Sequence, residues 1–221
     1  MMFGWFKNPP LPMNEIVRNY ENTPQPSPKT ALSEVNFLVL DLELTGLDAK
    51  KDHIVSAGWV PIRHQEIMLG DSAHYLVKSP IGVGQSAVIH GVHDHQLKTG
   101  MELCELMAML LQSYPGYVLV AHHAQMDLAF LTMACERCFG RSPKFKAIDT
   151  LKIEWQRLHN KGKVLTRDML RLSSCLERHK LPKAPQHHAL ADAFACAQLL
   201  LSQIRQHSSS MTLGELQNLS R

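Results

Sequence analysis

The sequence predicts an α/β domain, a mixed sheet with helices packed on it. Phe37-Leu38-Val39-Leu40-Asp41 is an apolar run typical of a strand buried on both faces. Strand-like segments come first and then alternate with segments of helical period, the order of a mixed sheet covered by helices. The chain has 221 residues, 45% of them hydrophobic, which suits one domain with a real core and excludes wholesale disorder.

Taken in order, residues 54–62 and 73–77 read as further strands after the first, with 66–69 pairing as a third between them. Residues 101–112 carry apolar side chains at helical spacing. Residues 117–121 form a short buried strand, followed by a helix over 125–138 whose core-facing stripe is Met126, Ala129, Phe130 and Met133. Three more helices are expected over 149–158, 166–179 and 188–206, with Pro182 and Pro185 breaking the chain before the last.

The two ends differ from this body. Residues 1–34 hold half of the 12 prolines and read as an extended arm with a short helix at 14–20, in which Phe3, Trp5 and Phe6 are available for packing. The main body covers 35–206, and 207–221 is a polar tail relieved by Met211, Leu213, Leu216 and Leu219. No apolar run approaches the ~18 residues of a membrane span, and the N-terminus is not a secretory signal. Five cysteines, including a lone Cys135-x-x-Cys138, are expected to be reduced and partly buried. A cytoplasmic protein with no membrane partner is the expectation.

Asp41-Leu42-Glu43 ends the first buried strand. Side chains at i and i+2 share a face, so two carboxylates project together from an apolar element. They repel unless one is protonated or a cation lies between them, and hard divalent ions take such oxygen ligands. Asp127 stands in the first turn of the helix after the strand at 117–121, where the helix dipole favours a carboxylate. Asp192 lies early in an alanine-rich helix, whose small side chains allow close approach to a sheet. His187 lies five residues earlier, too far to share a helical face with Asp192, and imidazole, which titrates at ~6.5, is a natural general base. Its neighbour His188 reads as a helix cap. Four carboxylates meeting at one site call for cations, and two metals together stabilise the attacking and leaving oxygens of a phosphoryl displacement.

These residues sit in three motifs: Asp41-Leu42-Glu43-Leu44-Thr45-Gly46-Leu47-Asp48, His122-His123-Ala124-Gln125-Met126-Asp127, and His187-His188-Ala189-Leu190-Ala191-Asp192. Together they resemble the signatures of the DEDDh 3′–5′ exonucleases, which include the proofreading epsilon subunit of bacterial DNA polymerase III. Ile89-His90-Gly91-Val92 and Ile148-Asp149-Thr150-Leu151 are similar to epsilon-like segments. The resemblance spans about residues 36–204. It implies a ribonuclease H-like fold and release of nucleoside 5′-monophosphates from a 3′ end. It also implies that Asp41, Glu43, Asp127 and Asp192 hold two Mg²⁺ or Mn²⁺ ions, with Asp41 bridging them. Glu43 would also accept from the substrate 3′-hydroxyl, and His187 would take a proton from the attacking water. Leu44 and Thr45 would hold the terminal nucleotide, with His90 and His123 as further substrate-side residues. Leu44, His123 and Met126 depart from residues common in the family, which bears on the shape of the nucleotide pocket. His122 and Asp149 read as structural hydrogen-bonding residues.

The formal net charge is only +3, yet residues 137–183 hold 13 Lys and Arg against four acids. Such a basic stretch suits phosphate contacts, with Arg137, Arg141, Lys144, Lys146, Lys161, Lys163 and Arg167 as candidates. Single-stranded DNA 3′ ends are the leading substrate. RNA or short-oligonucleotide trimming is the alternative within the same chemistry. Docking onto a DNA polymerase or other protein, through the N-terminal arm and the leucines of the tail, is the alternative outside it.

Overall fold

The computed structural model describes residues 13–79, 99–183, 187–208 and 210–221. Strand β1 (Phe37–Leu44) is central, as its unbroken apolar run requires. On one side it pairs antiparallel with β2 (Ile54–Arg63), and on the other parallel with β5 (Val118–Ala121). Beyond them, β3 (Glu66–Ile67) and β4 (Ala73–Leu76) pair antiparallel with β2, and β6 (Ala147–Asp149) pairs parallel with β5. The path across the sheet is β3-β2-β1-β5-β6.

The two-residue period sorts the core into two layers. Leu38, Leu40, Ala57, Trp59 and Leu119 face helices α1 (Met13–Asn22), α2 (Leu103–Ser113) and α3 (Ala124–Phe139). Phe37, Val39, Val60, Ile62 and Val120 face α4 (Thr150–His159), α6 (Ala189–Ile204) and α7 (Leu213–Leu219). The short helix α5 (Leu172–Arg178) packs on α6 through Cys175, Leu176, Ala195 and Leu199.

Several local expectations are corrected. The buried stripe of α3 is Asp127, Phe130, Leu131, Ala134 and Cys135, and Ala129 is exposed. The helix is turned so that a carboxyl faces inward, which an apolar count does not anticipate. Residues 166–179 are a 3₁₀ turn (Arg167–Leu170) and α5, separated by extended Arg171. The break frees two carbonyls that a continuous helix would occupy: His122 Nε2 lies 2.8 Å from that of Leu170, and Arg178 donates to that of Met169. Asp149 ends a strand before it caps a helix. Cys104 and Cys138 form a disulfide, because α2 packed on α3 brings their Cα atoms to 5.2 Å. Cys135, Cys175 and Cys196 are free thiols, all buried.

The described parts of both ends lie on the body. Ile16 and Val17 of α1 are buried in the core. The segment at 207–221 carries α7, which starts with a capping box between Thr212 and Glu215 and buries Leu213 and Leu216. The two ends clasp each other: Leu32 N–H donates to Met211, Leu213 N–H to Thr30 and Gly214 N–H to Pro28. Phe3, Trp5 and Phe6, Ile89 to Val92 including His90, and Pro185 lie outside the described residues. No helix among the described residues is long and apolar enough to cross a membrane.

Candidate active site

The parallel strands β1, β5 and β6 end at one edge of the sheet, and the candidate residues gather there. Asp41 and Glu43 lie on the face of β1 covered by α6, opposite Gly58 and Ser56 of β2. The pairing slips between Glu43 and Leu44, where the strand gives way to the loop. Asp192 occupies the first turn of α6. One carboxylate oxygen each from Asp41, Glu43 and Asp192 lies within 4.8 Å of the others. Asp127, in the first turn of α3, is 6% exposed and lies close enough to Asp41 to raise its carboxyl.

Gly58 makes this convergence physically attainable, and no motif pointed to it. A Cβ there would lie 2.2 Å from the Leu190 nitrogen and 2.4 Å from the Ala189 carbonyl carbon. The backbone of α6 therefore rests directly on β2, which carries Asp192 down to the strand-borne pair. A glycine within a strand is the available signal for such a close backbone approach.

The electrostatics are those of a site crowded with like charge. Burial raises the Asp41 carboxyl well above the ordinary range, and Asp127, Glu43 and Asp192 raise it further. Burial pushes Asp127 up to about 8, against the lowering effect of its backbone hydrogen bonds. Asp192 is raised by burial and by Glu43, although the N–H of His187 donates to it at 2.8 Å. The oxygen-only donor set, hard and anionic, fits a Mg²⁺- or Mn²⁺-type ion.

His187 is exposed at the entrance to α6, with a left-handed backbone (φ 61°) and its amide tied to Asp192. His188 caps α6, its Nδ1 accepting from Ala191 N–H at 3.4 Å, as expected of it. His74 of β4 stacks on His188 with ring centroids 4.4 Å apart and reaches Ser56 Oγ at 3.3 Å. Only the folding of β4 beside β2 makes this support visible.

Asp149 organises the start of α3. Its carboxylate accepts the N–H groups of His123, Ala124 and Leu151 at 3.0–3.1 Å. His123 is thereby held in a left-handed conformation (φ 75°), exposed, one residue before the helix that carries Asp127. The N–H of Asp149 in turn donates to Ser220 Oγ at 2.6 Å. The C-terminal helix is therefore linked through Asp149 to the turn that places Asp127. His122 is bonded to Thr150 Oγ1 at 2.9 Å and to Leu170 O at 2.8 Å, the structural role expected for both residues.

The loop after β1 is closed by Asp52, which accepts from Asp48 N–H and Thr45 Oγ1 and lies against Gly46. The Thr45 hydroxyl also accepts from His53 N–H. Leu44 is half-buried, and Leu47 stands 78% exposed at the loop tip. Of the basic candidates, Arg137 donates to the carbonyls of Ala49 and Lys50 on this loop, and Arg141 pairs with Glu21. Lys144, Lys146, Lys161, Lys163 and Arg167 are exposed.

Residues 38–200 match the model of the RNase_T family, described as exonuclease. The chain is 27% identical over 198 residues to the PolC-type DNA polymerase III of Thermotoga petrophila, covering 86% of this chain but 14% of that one. It thus spans about one-seventh of that relative's length. With the DNA polymerase III subunit epsilon of Treponema pallidum it shares 28% identity over 174 residues, 79% of each chain. Among solved structures, Escherichia coli Exonuclease I in complex with a dT13 oligonucleotide superposes with a TM-score of 0.66 at 16% identity, covering 78% of this chain and 42% of that one. The nuclease domain of 3′hExo, a DEDDh family member bound to rAMP, gives 0.64 at 16% identity, covering 79% and 94%. These likenesses show the fold, the ribonuclease H-like sheet implied by the motifs.

Proposed function

The chain belongs to the RNase_T exonuclease family, and from that premise we propose that it removes nucleotides from the 3′ ends of single-stranded DNA as 5′-monophosphates. The observation that carries this reading is the convergence of Asp41, Glu43 and Asp192 within 4.8 Å, with Asp127 buried behind them. These four carboxylates would hold two divalent cations, Mg²⁺ or Mn²⁺. When bound, such ions neutralise the acids and stabilise charge on the attacking and leaving oxygens.

The chain's own residues supply the remainder. His187, exposed beside the carboxylates and fixed at its amide by Asp192, takes a proton from the attacking water through its imidazole. Glu43 accepts from the terminal 3′-hydroxyl. Leu44, at the end of β1, packs against the terminal base, and Leu44 and Thr45 together hold the terminal nucleotide through backbone and side-chain contacts. His123 faces the substrate from the start of α3, and His90 is assigned to the same side by motif alone. Exposed lysines of the 137–183 stretch contact phosphates, so affinity falls steeply with salt.

The test is metal-dependent digestion of 5′-labelled DNA and RNA of matched sequence, with product lengths resolved. Stepwise shortening from the 3′ end, faster on DNA and abolished in Asp41→Ala, is expected. Faster loss of the RNA would reassign the substrate sugar. Full activity in Asp41→Ala would overturn the carboxylate site itself. The mutual 79% coverage with a polymerase III epsilon subunit supports a second reading, assembly with a polymerase. Migration of the active chain as a monomer when mixed with its organism's replicative polymerase would count against it.

A further inference from the structure

We propose that the outward face of α4 (Thr150–His159) is a second docking surface for single-stranded nucleic acid, separate from the carboxylate cluster. Lys152, Trp155 and His159 stand at i, i+3 and i+7 and form one exposed stripe. Trp155 keeps 43% of its surface in solvent. Its ring lies on that of His159 with centroids 4.7 Å apart and planes 8° from parallel. Each ring therefore covers one face of the other and fixes its orientation, so a base would meet the outward surface of an ordered stack rather than a loose side chain.

Charge on this face has one sign. Glu154, the only acid of α4, is turned inward with its side chain fully buried, where it pairs with Arg157 and Arg178. That arrangement withdraws the one negative charge from the stripe and leaves Lys152 outside. The helix runs on into an exposed loop bearing Lys161 and Lys163. Flat aromatic surface flanked by lysines matches a base face flanked by phosphates, and such stacking tolerates any base. Because Thr150 directly follows the end of β6, the platform begins at the edge that carries the carboxylates. At 1.5 Å per residue, Trp155 lies roughly 8 Å along the axis from it. The ligand class rests on the nuclease reading, whereas the surface itself does not.

The test uses the full chain and a fluorescent 20-residue oligothymidylate with non-hydrolysable phosphorothioate linkages, read by anisotropy. The double variant Trp155→Ala/His159→Ala should bind it roughly tenfold to a hundredfold more weakly, and Trp155→Phe should retain most of the affinity. Hydrolysis of a four-residue oligonucleotide by the double variant should match the unaltered chain, which also reports that the variant is folded. Equal affinity of the double variant for the 20-mer would overturn the proposal. So would displacement of the 20-mer from this face by polyglutamate at equal charge, which would assign it to acidic protein. If the chain binds the 20-mer through α4 but hydrolyses no oligonucleotide, the nuclease reading fails and this surface stands.

Discussion

Glu154 and Asp127 are both buried carboxyl groups on helices that start at the same edge of the sheet, and their surroundings drive them in opposite directions. Burial alone would raise Glu154, but hydrogen bonds from Arg157, His179 and Arg178 hold it well below the usual carboxylate range. Asp127 is pushed up to about 8, and Asp41 beside it is raised by three further carboxylates as well as by burial. The first acid is satisfied by cations of the chain itself and ties α4 to α5. The second group is arranged so that the folded protein alone does not neutralise it. A cluster of the first kind holds structure, and one of the second kind is a cluster whose repulsion a bound cation would relieve.

Isosteric amides in the two sites should separate them most sharply. Asp192→Asn should lower hydrolysis by on the order of 10³-fold and leave unfolding stability equal or higher, since it relieves like-charge repulsion. Glu154→Gln should do the reverse, costing about 3–5 kcal/mol in urea unfolding while turnover per folded molecule persists. A comparable loss of stability in both variants would erase the distinction. Next in size is Gly58→Ala. The added methyl meets the backbone of α6, so a shift of Asp192 should slow turnover roughly 10²-fold at about 1–3 kcal/mol of stability. Wild-type turnover would show that α6 can retreat without moving the site.

The pH dependence of stability should also carry opposite signs. A carboxyl raised in the folded state contributes stability below its unfolded value that is lost as pH rises through its folded one. Asp41, Asp127 and Asp192 are raised, so in EDTA the melting temperature should fall between about pH 4 and pH 8. Mn²⁺ should restore it most at the alkaline end. Glu154 is depressed, so its contribution holds above its unfolded value and is lost only as pH falls through the folded one, in strong acid. A flat melting temperature from pH 4 to pH 8 without metal would contradict the reading of the aspartates. The smallest effect is at the chain's end. Ser220→Ala removes the acceptor of Asp149 N–H and should cost about 1 kcal/mol, with a modest drop in kcat and unchanged KM. A change in KM alone would break the link drawn from α7 to Asp127.

How far the site could be read ahead of the fold follows from the range of each interaction. Asp41 and Glu43 were legible because a two-residue period is local, and His188 because capping is local. Gly58, His74 and Ser220 were not, since each acts on a residue at least 71 positions away in the chain. The same reason hid the Cys104–Cys138 pair. It also hid the folding of the C-terminal leucines onto the core, where segment composition alone gave a polar tail. The α3 stripe was misplaced because a buried carboxyl stands where the apolar pattern expects a hydrophobe.

By itself, then, the sequence determined the fold class and most of the element order and nominated the four carboxylates, because these rest on periodicity and on motifs contiguous in the chain. The tertiary structure alone decided which acids are crowded by like charge and which are satisfied within. That outcome depends on which cations fold against each carboxyl, and those neighbours come from distant parts of the chain.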